Sequence, residues 1–95
     1  MIRFIVVFKL VDNSEQNVAL IKQHIMSLKG KMPVIKHMEV GGNLLLGERA
    51  FDLAALFDFE SIEDVHMFEH DPIHLEVVQR IKPAVAELKT VVYQQ

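Results

Sequence analysis

Two segments of this chain are apolar on both faces of a strand, and this restricts its architecture more than any other feature. Residues 2–11 are rich in β-branched and aromatic side chains. Read with the two-residue period of a strand, Phe4, Val6, Phe8 and Leu10 form the bulkier face, and Ile5 and Val7 form the other between Arg3 and Lys9. In residues 51–59, Leu53, Ala55, Phe57 and Phe59 point one way, and Ala54 and Leu56 point the other between Asp52 and Asp58. One helical layer covers one face of a sheet, and a solvated second face alternates apolar with polar residues. Here the centre of that second face does not alternate. Ile5, Val7, Ala54 and Leu56, joined by Met38, Val40, Val91 and Tyr93, predict an apolar patch with a charged rim, the composition of a subunit interface. Self-association through the sheet is the expectation, since a symmetric pair is also the commonest oligomer. A few ordinary exposed apolar residues would be the simpler alternative.

The remaining segments separate at clear punctuation. Asp12-Asn13-Ser14 ends the first strand, Ser14 is a candidate N-cap, and Val18, Ile21, Ile25 and Leu28 recur at helical spacing, predicting a helix to about Lys29 that Gly30 stops. Pro33 opens an extended stretch over 34–40, followed by Gly41-Gly42-Asn43. Ser61-Ile62-Glu63-Asp64 has the spacing of a capping box and predicts a helix from 62 to about 70. Asp71-Pro72 then starts a third helix, with Leu75, Val78, Ile81 and Val85 expected inward and Pro83 near its end. Leu88–Tyr93 reads as a terminal strand. The order β-α-β-β-α-α-β predicts an α+β, ferredoxin-like fold: a four-stranded antiparallel sheet with helices on one face. A small swapped or open barrel could be built from the same segments.

Composition narrows the function classes. At 95 residues the chain is expected to be one domain, 1–95, with one core. An apolar share of 51% with 24% charged residues is that of a folded globule. The absence of cysteine removes disulfides, thiolate nucleophiles and cysteine-ligated metal sites. The net charge is −3, from 13 acids against 10 bases, and the densest positive stretch is Lys29-Gly30-Lys31. That is too thin to bind a phosphate backbone, so no nucleic-acid partner is expected. The apolar start of the chain is interrupted at Lys9, too early for a membrane span, and a soluble cytoplasmic domain without cofactor is the expectation. Gly41-Gly42-Asn43 lacks the pattern of a phosphate loop and reads as a bulge or turn. Phe51, Phe57 and Phe59 read as core side chains, since no basic groove accompanies them as a nucleic-acid platform requires.

The candidates for chemistry are the histidines. His66, His70 and His74 fall at intervals of four, which one continuous helix would stack on one face as potential metal ligands. Pro72 interrupts that register and no His-Glu-x-x-His pattern is present, so no metal is expected. His74 differs from the others. It lies in the first turns of a helix otherwise apolar on its packed side, where its ring could face a pocket and act as a base. His24 and His37 read as surface residues. Asp52 and Asp58 share a strand face but stand roughly 20 Å apart, too far for a catalytic pair. Tyr93, the only phenol, could bond a ligand or anchor an interface.

These pieces resemble the stress-responsive dimeric α/β-barrel family, Dabb. The resemblance rests on Ile5–Leu10, Ile35–Gly41, Phe51–Ser61, Asp71-Pro72-Ile73-His74-Leu75 and the terminal Val91-Val92-Tyr93, in the family's order over nearly the whole chain. It implies a ferredoxin-like protomer whose sheet packs on its mate's sheet to form a barrel-like homodimer. For function it implies an unassigned activity, stress-related or binding a small hydrophobic molecule. The alternative it carries is a small-molecule enzyme, polyketide-cyclase-like or lyase-like, with His74 as general base. The family's pocket positions fall on Phe4, Leu53, Phe68, His74 and Val92, of which only His74 is polar. The implied interface holds Ile5, Val7, Ala54, Leu56, Val91 and Tyr93.

Overall fold

In the computed structural model, which describes residues 1–95, the chain runs β1 (Ile2–Leu10), α1 (Glu15–Met26), β2 (His37–Gly42), β3 (Leu53–Phe59), α2 (Ile62–His70), α3 (Pro72–Ile81) and β4 (Val85–Gln94). The strands form one antiparallel sheet in the order β2-β3-β1-β4, the arrangement expected of a ferredoxin-like chain. All three helices lie on one face. There Phe4, Val6, Phe8 and Leu10 meet Leu53, Ala55, Phe57 and Phe59 across the β1–β3 ladder. Ile21, Ile25, Val65, Phe68, Val77 and Ile81 descend on them from the helices to complete one contiguous core. Four of its rings (Phe4, Phe57, Phe59 and Phe68) pack with centroids 5.0–6.5 Å apart. No helix is long and apolar enough to cross a membrane.

The local signals act as capping physics requires. Ser14 Oγ accepts the Asn17 N–H, Ser61 Oγ the Asp64 N–H, and Asp71 Oδ1 the Ile73 N–H. Several boundaries differ from expectation. α1 ends at Met26 because the chain tightens to i−3 bonds through Leu28 and Lys29, before Gly30 turns at φ +80. β2 starts only at His37, since the segment Pro33–Lys36 is tied by Ile35 N–H to the Met32 carbonyl and Lys36 N–H to that of Asp58. Gly41 and Gly42 belong to the strand rather than to the turn after it.

The pairing of β2 with β3 corrects two assignments. Met38 pairs with Phe57 and Val40 with Ala55, so both face the helices and not the open side; His37, Glu39 and Gly41 are the open-face residues of β2. In α3, Ile81 is buried and Val78 half-buried as expected, but Leu75 is exposed and Val77 is buried in its stead, because the inward stripe runs through His74, Val77, Val78 and Ile81. Val85 begins β4 instead of ending α3; a 3-10 turn over Lys82–Ala84, with Pro83 inside it, separates them. Phe51 is only half-buried, with Lys9 Nζ 5.6 Å above its ring, and is not a core side chain.

Candidate functional site

Between β1 and β4 on one side and α3 with the end of α2 on the other lies a cavity of about 460 Å³. It exists because the helices stop short of β4. Leu88 and Val92 stay half-exposed on the very face that is fully packed along β3. Inward residues of β1 floor the cavity, and Val77, Val78 and Ile81 of α3 form its roof. Of 18 lining residues 13 are hydrophobic, so the cavity suits an apolar guest. Its polar groups are His74, Glu69, Lys82, Glu87 and Thr90.

His74 is placed by the break between α2 and α3. Pro72 cannot continue α2, Asp71 caps the new helix, and the imidazole swings onto Phe68 with ring centroids 4.2 Å apart. Its Nδ1 donates to the Glu69 carbonyl at 3.3 Å. A carbonyl only accepts, so this bond assigns the proton to Nδ1 and leaves the Nε2 lone pair free. Burial pushes the His74 pKa below 6.5, against weaker upward pulls from the Glu69 carbonyl and the Glu69 and Asp71 carboxylates. The ring is therefore neutral at pH 7, and Nε2 is a base that no carboxylate orients. The three histidines do not converge: His70 Nδ1 instead donates to the His66 carbonyl at 2.8 Å.

Of the residues assigned to the pocket from sequence, the structure brings Phe4, Phe68 and His74 to one cavity. Leu53 and Val92 are not among its lining residues. Leu53 pairs with Phe8 and Gly42, and Val92 stands opposite Phe4 on the edge strand. Thr90, Glu69, Lys82 and Glu87 were not identified from sequence. Thr90 had a signal, a hydroxyl at the inward position between Leu88 and Val92. Lys82 and Glu87 had none: Lys82 belongs to the 3-10 turn before β4, and Glu87 borders the cavity beside an irregularity in the pairing opposite Lys9 and Leu10, with its carboxylate 3.6 Å from Lys89 Nζ.

The open face is the second feature. Ile5, Val7, Ala54, Leu56, Val91 and Tyr93 all lie on it, as the pairings Ile5–Leu56, Val7–Ala54, Ile5–Val91 and Arg3–Tyr93 require. Arg3 Nε and Nη2 reach Asp58 Oδ1 and Oδ2, each at 2.9 Å. That fork holds the buried Asp58 below the usual carboxylate range despite its desolvation, and raises the Arg3 guanidinium further. Asp52 is structural, accepting the Leu10 N–H at 2.7 Å and the Asn13 amide at 3.2 Å.

The family model described as the stress responsive A/B barrel domain, Dabb, matches residues 2–94. The chain belongs to the Dabb family. Among solved structures, a dimeric Bacteroides fragilis protein of unknown function with a ferredoxin-like fold is 26% identical. It matches over 99% of this chain and 95% of its own, with a TM-score of 0.84. The hydroxynitrile lyase of Passiflora edulis is 25% identical, over 97% of this chain and 90% of its own, with a TM-score of 0.80. A Dabb family protein of Mesorhizobium loti, with a TM-score of 0.85 over 99% and 95% of the two chains, is 18% identical and shares the fold. No curated protein matches this Dabb chain.

Proposed function

We propose that this Dabb chain is a single domain that forms a homodimer through its open sheet face and holds a small, mainly apolar molecule in the cavity under α3, in the stress-linked role the family's name describes. The carrying observation is the cavity itself: about 460 Å³, mostly hydrophobic, with one neutral imidazole in its wall. Dimerisation is supported by the half-exposed Val91 and Tyr93 beside Ile5, Val7, Ala54 and Leu56, and by the dimeric state of the Bacteroides fragilis neighbour. The reading is tested with an uncharged apolar fluorophore such as N-phenyl-1-naphthylamine. Saturable binding of one probe per chain is expected, weakened at least tenfold by Val78→Phe, which fills the cavity from its roof. Binding that never saturates, or that ignores Val78→Phe, overturns it.

A second reading, a lyase-like enzyme with His74 as general base, is favoured by the free Nε2 and by the hydroxynitrile lyase neighbour. On a hydroxynitrile, Nε2 would take the hydroxyl proton as the carbon–nitrile bond breaks, its electron pair leaving with cyanide and a carbonyl forming. Phe4 stands in the wall without a hydrogen-bonding group, which leaves Thr90 as the hydroxyl available to a developing charge. We expect no turnover of a hydroxynitrile and no cyclisation of a linear poly-β-keto substrate. Turnover abolished by His74→Ala in a folded dimer would establish the enzyme.

A further inference from the structure

The open face carries its charges in columns. β1 presents Arg3, Ile5, Val7 and Lys9, while the β3 column presents Asp58, Leu56 and Ala54 beside them and ends at Asp52. Two sheets packed face to face by a twofold axis leave two simple choices, because the axis must lie in the interface and run along the strands or across them. An axis across the strands lays β1 on an inverted β1, placing Arg3 over the partner's Lys9 and Asp58 over the partner's Asp52. Like charges then meet at both ends. An axis along the strands lays β1 on the partner's β3, so that Arg3 faces the partner's Asp58, Lys9 faces the partner's Asp52, and Ile5 meets the partner's Leu56. Charge complementarity selects the second.

That choice exchanges the edges. The partner's β2 then runs beside β4, and antiparallel to it, since β2 points along β1 and β4 against it. Rotation about the strand direction keeps every residue at its own height. Gly42, Leu53, Phe8 and Leu88 form one row across the sheet, so the partner's Gly42 arrives level with Leu88. The residues after Gly42 continue past that row toward Glu87 and Lys82, where the cavity opens. They are Asn43-Leu44-Leu45-Leu46, and the three leucines are 94%, 80% and 97% exposed in the protomer. The loop is built to hold them out: Asn43 Nδ2 donates to the Leu45 carbonyl at 2.7 Å, and Asn43 N–H closes the loop base on the Asp52 carbonyl at 2.9 Å. Three consecutive leucines in water are costly unless something covers them. Leu88, 52% exposed at the cavity edge, is the matching apolar surface.

We propose that the Leu44–Leu46 loop of each protomer closes the mouth of its partner's cavity, so that each binding site is completed by the second copy. The inference rests on the sheet-to-sheet dimer proposed above, and its test separates the two. The chain has no cysteine, so Leu45→Cys and Leu88→Cys can be introduced together at exposed positions. Within one protomer their rows end on opposite edges, three strand spacings or about 14 Å apart, beyond the reach of a disulfide. Mild oxidation is expected to give a covalent dimer from the double variant at least tenfold faster than from either single variant. A dimer by light scattering whose double variant cross-links no faster than the single ones overturns the loop closure and leaves the sheet dimer standing. A monomeric wild type overturns both. Should the double variant fail to fold, trypsin cleavage of the wild type after Arg49, in the same loop, decides. Cleavage slowed at least tenfold at concentrations where the chain is dimeric supports the closure, and an unchanged rate overturns it.

Discussion

His74 shows how a single side chain acquires its chemistry from its neighbours. The same imidazole on an exposed helix would carry a proton for part of the physiological range; packed at a tilt against Phe68 and desolvated, it gives the proton up more readily. The unfolded chain then binds that proton better than the folded one. The stability His74 contributes is complete above its unfolded pKa, about 6.5, and is lost as pH falls through that value toward the lower folded one. Urea midpoints measured between pH 8 and pH 5 are expected to decline, with a shallower decline in His74→Gln; equal slopes for the two proteins would contradict the assignment. His74→Ala should change stability by about 1–2 kcal/mol, since Phe68 loses a packing partner but no buried charge is stranded. The residue was identifiable from its place after Asp71-Pro72. Its tautomer was not, because the Glu69 carbonyl that assigns it belongs to the helix before the break.

The elements were legible to the extent that their signals are local. The caps at Ser14, Ser61 and Asp71 and the alternation in β1 and β3 report interactions within a few residues, and they locate α1, α2, α3 and those two strands. β2 was misplaced by about three residues because its start depends on Lys36 bonding to Asp58, a partner 22 positions away in the chain. Met38 and Val40 were put on the wrong face for a separate reason: which side of the sheet they take is decided by their pairing with Phe57 and Ala55 of β3, not by any local pattern. Gly42 illustrates a constraint of the same kind. A Cβ there would stand 2.9 Å from Val18 Cγ1 on α1, and a β-branched side chain in a helix has little freedom to turn away. Gly42→Ala is expected to cost about 1–3 kcal/mol by overpacking. In a Val18→Ala background most of that cost should vanish, as a double-mutant cycle in urea would show; full additivity would mean that the two positions do not meet.

For the whole molecule the decisive feature is an apolar face that the helices cannot cover. Leu56 lies at its centre, paired with Ile5 in β1 and Glu39 in β2. Leu56→Asp is expected to bury an unpaired carboxylate in the sheet interface, halving the mass read by light scattering from twice the 10.9 kDa chain mass; a variant that stays dimeric would place the interface elsewhere. Below pH 4, protonation of Asp58 should weaken the protomer as well. Its folded pKa lies below the unfolded value of 3.8, so the stability from the Arg3 fork is present above that value and disappears as pH falls through the folded one. From its sequence alone this chain determined its element types, its two-faced sheet and its ferredoxin-like order, because periodicity, caps and charge placement act over a turn or a strand. The tertiary structure alone decided the register of β2, the hollow left where the helices stop short of β4, the company of Thr90, Lys82 and Glu87 in its wall, and the row that aligns Gly42 with Leu88. Each of these is set by contacts between residues far apart in the chain, whose geometry no local pattern encodes.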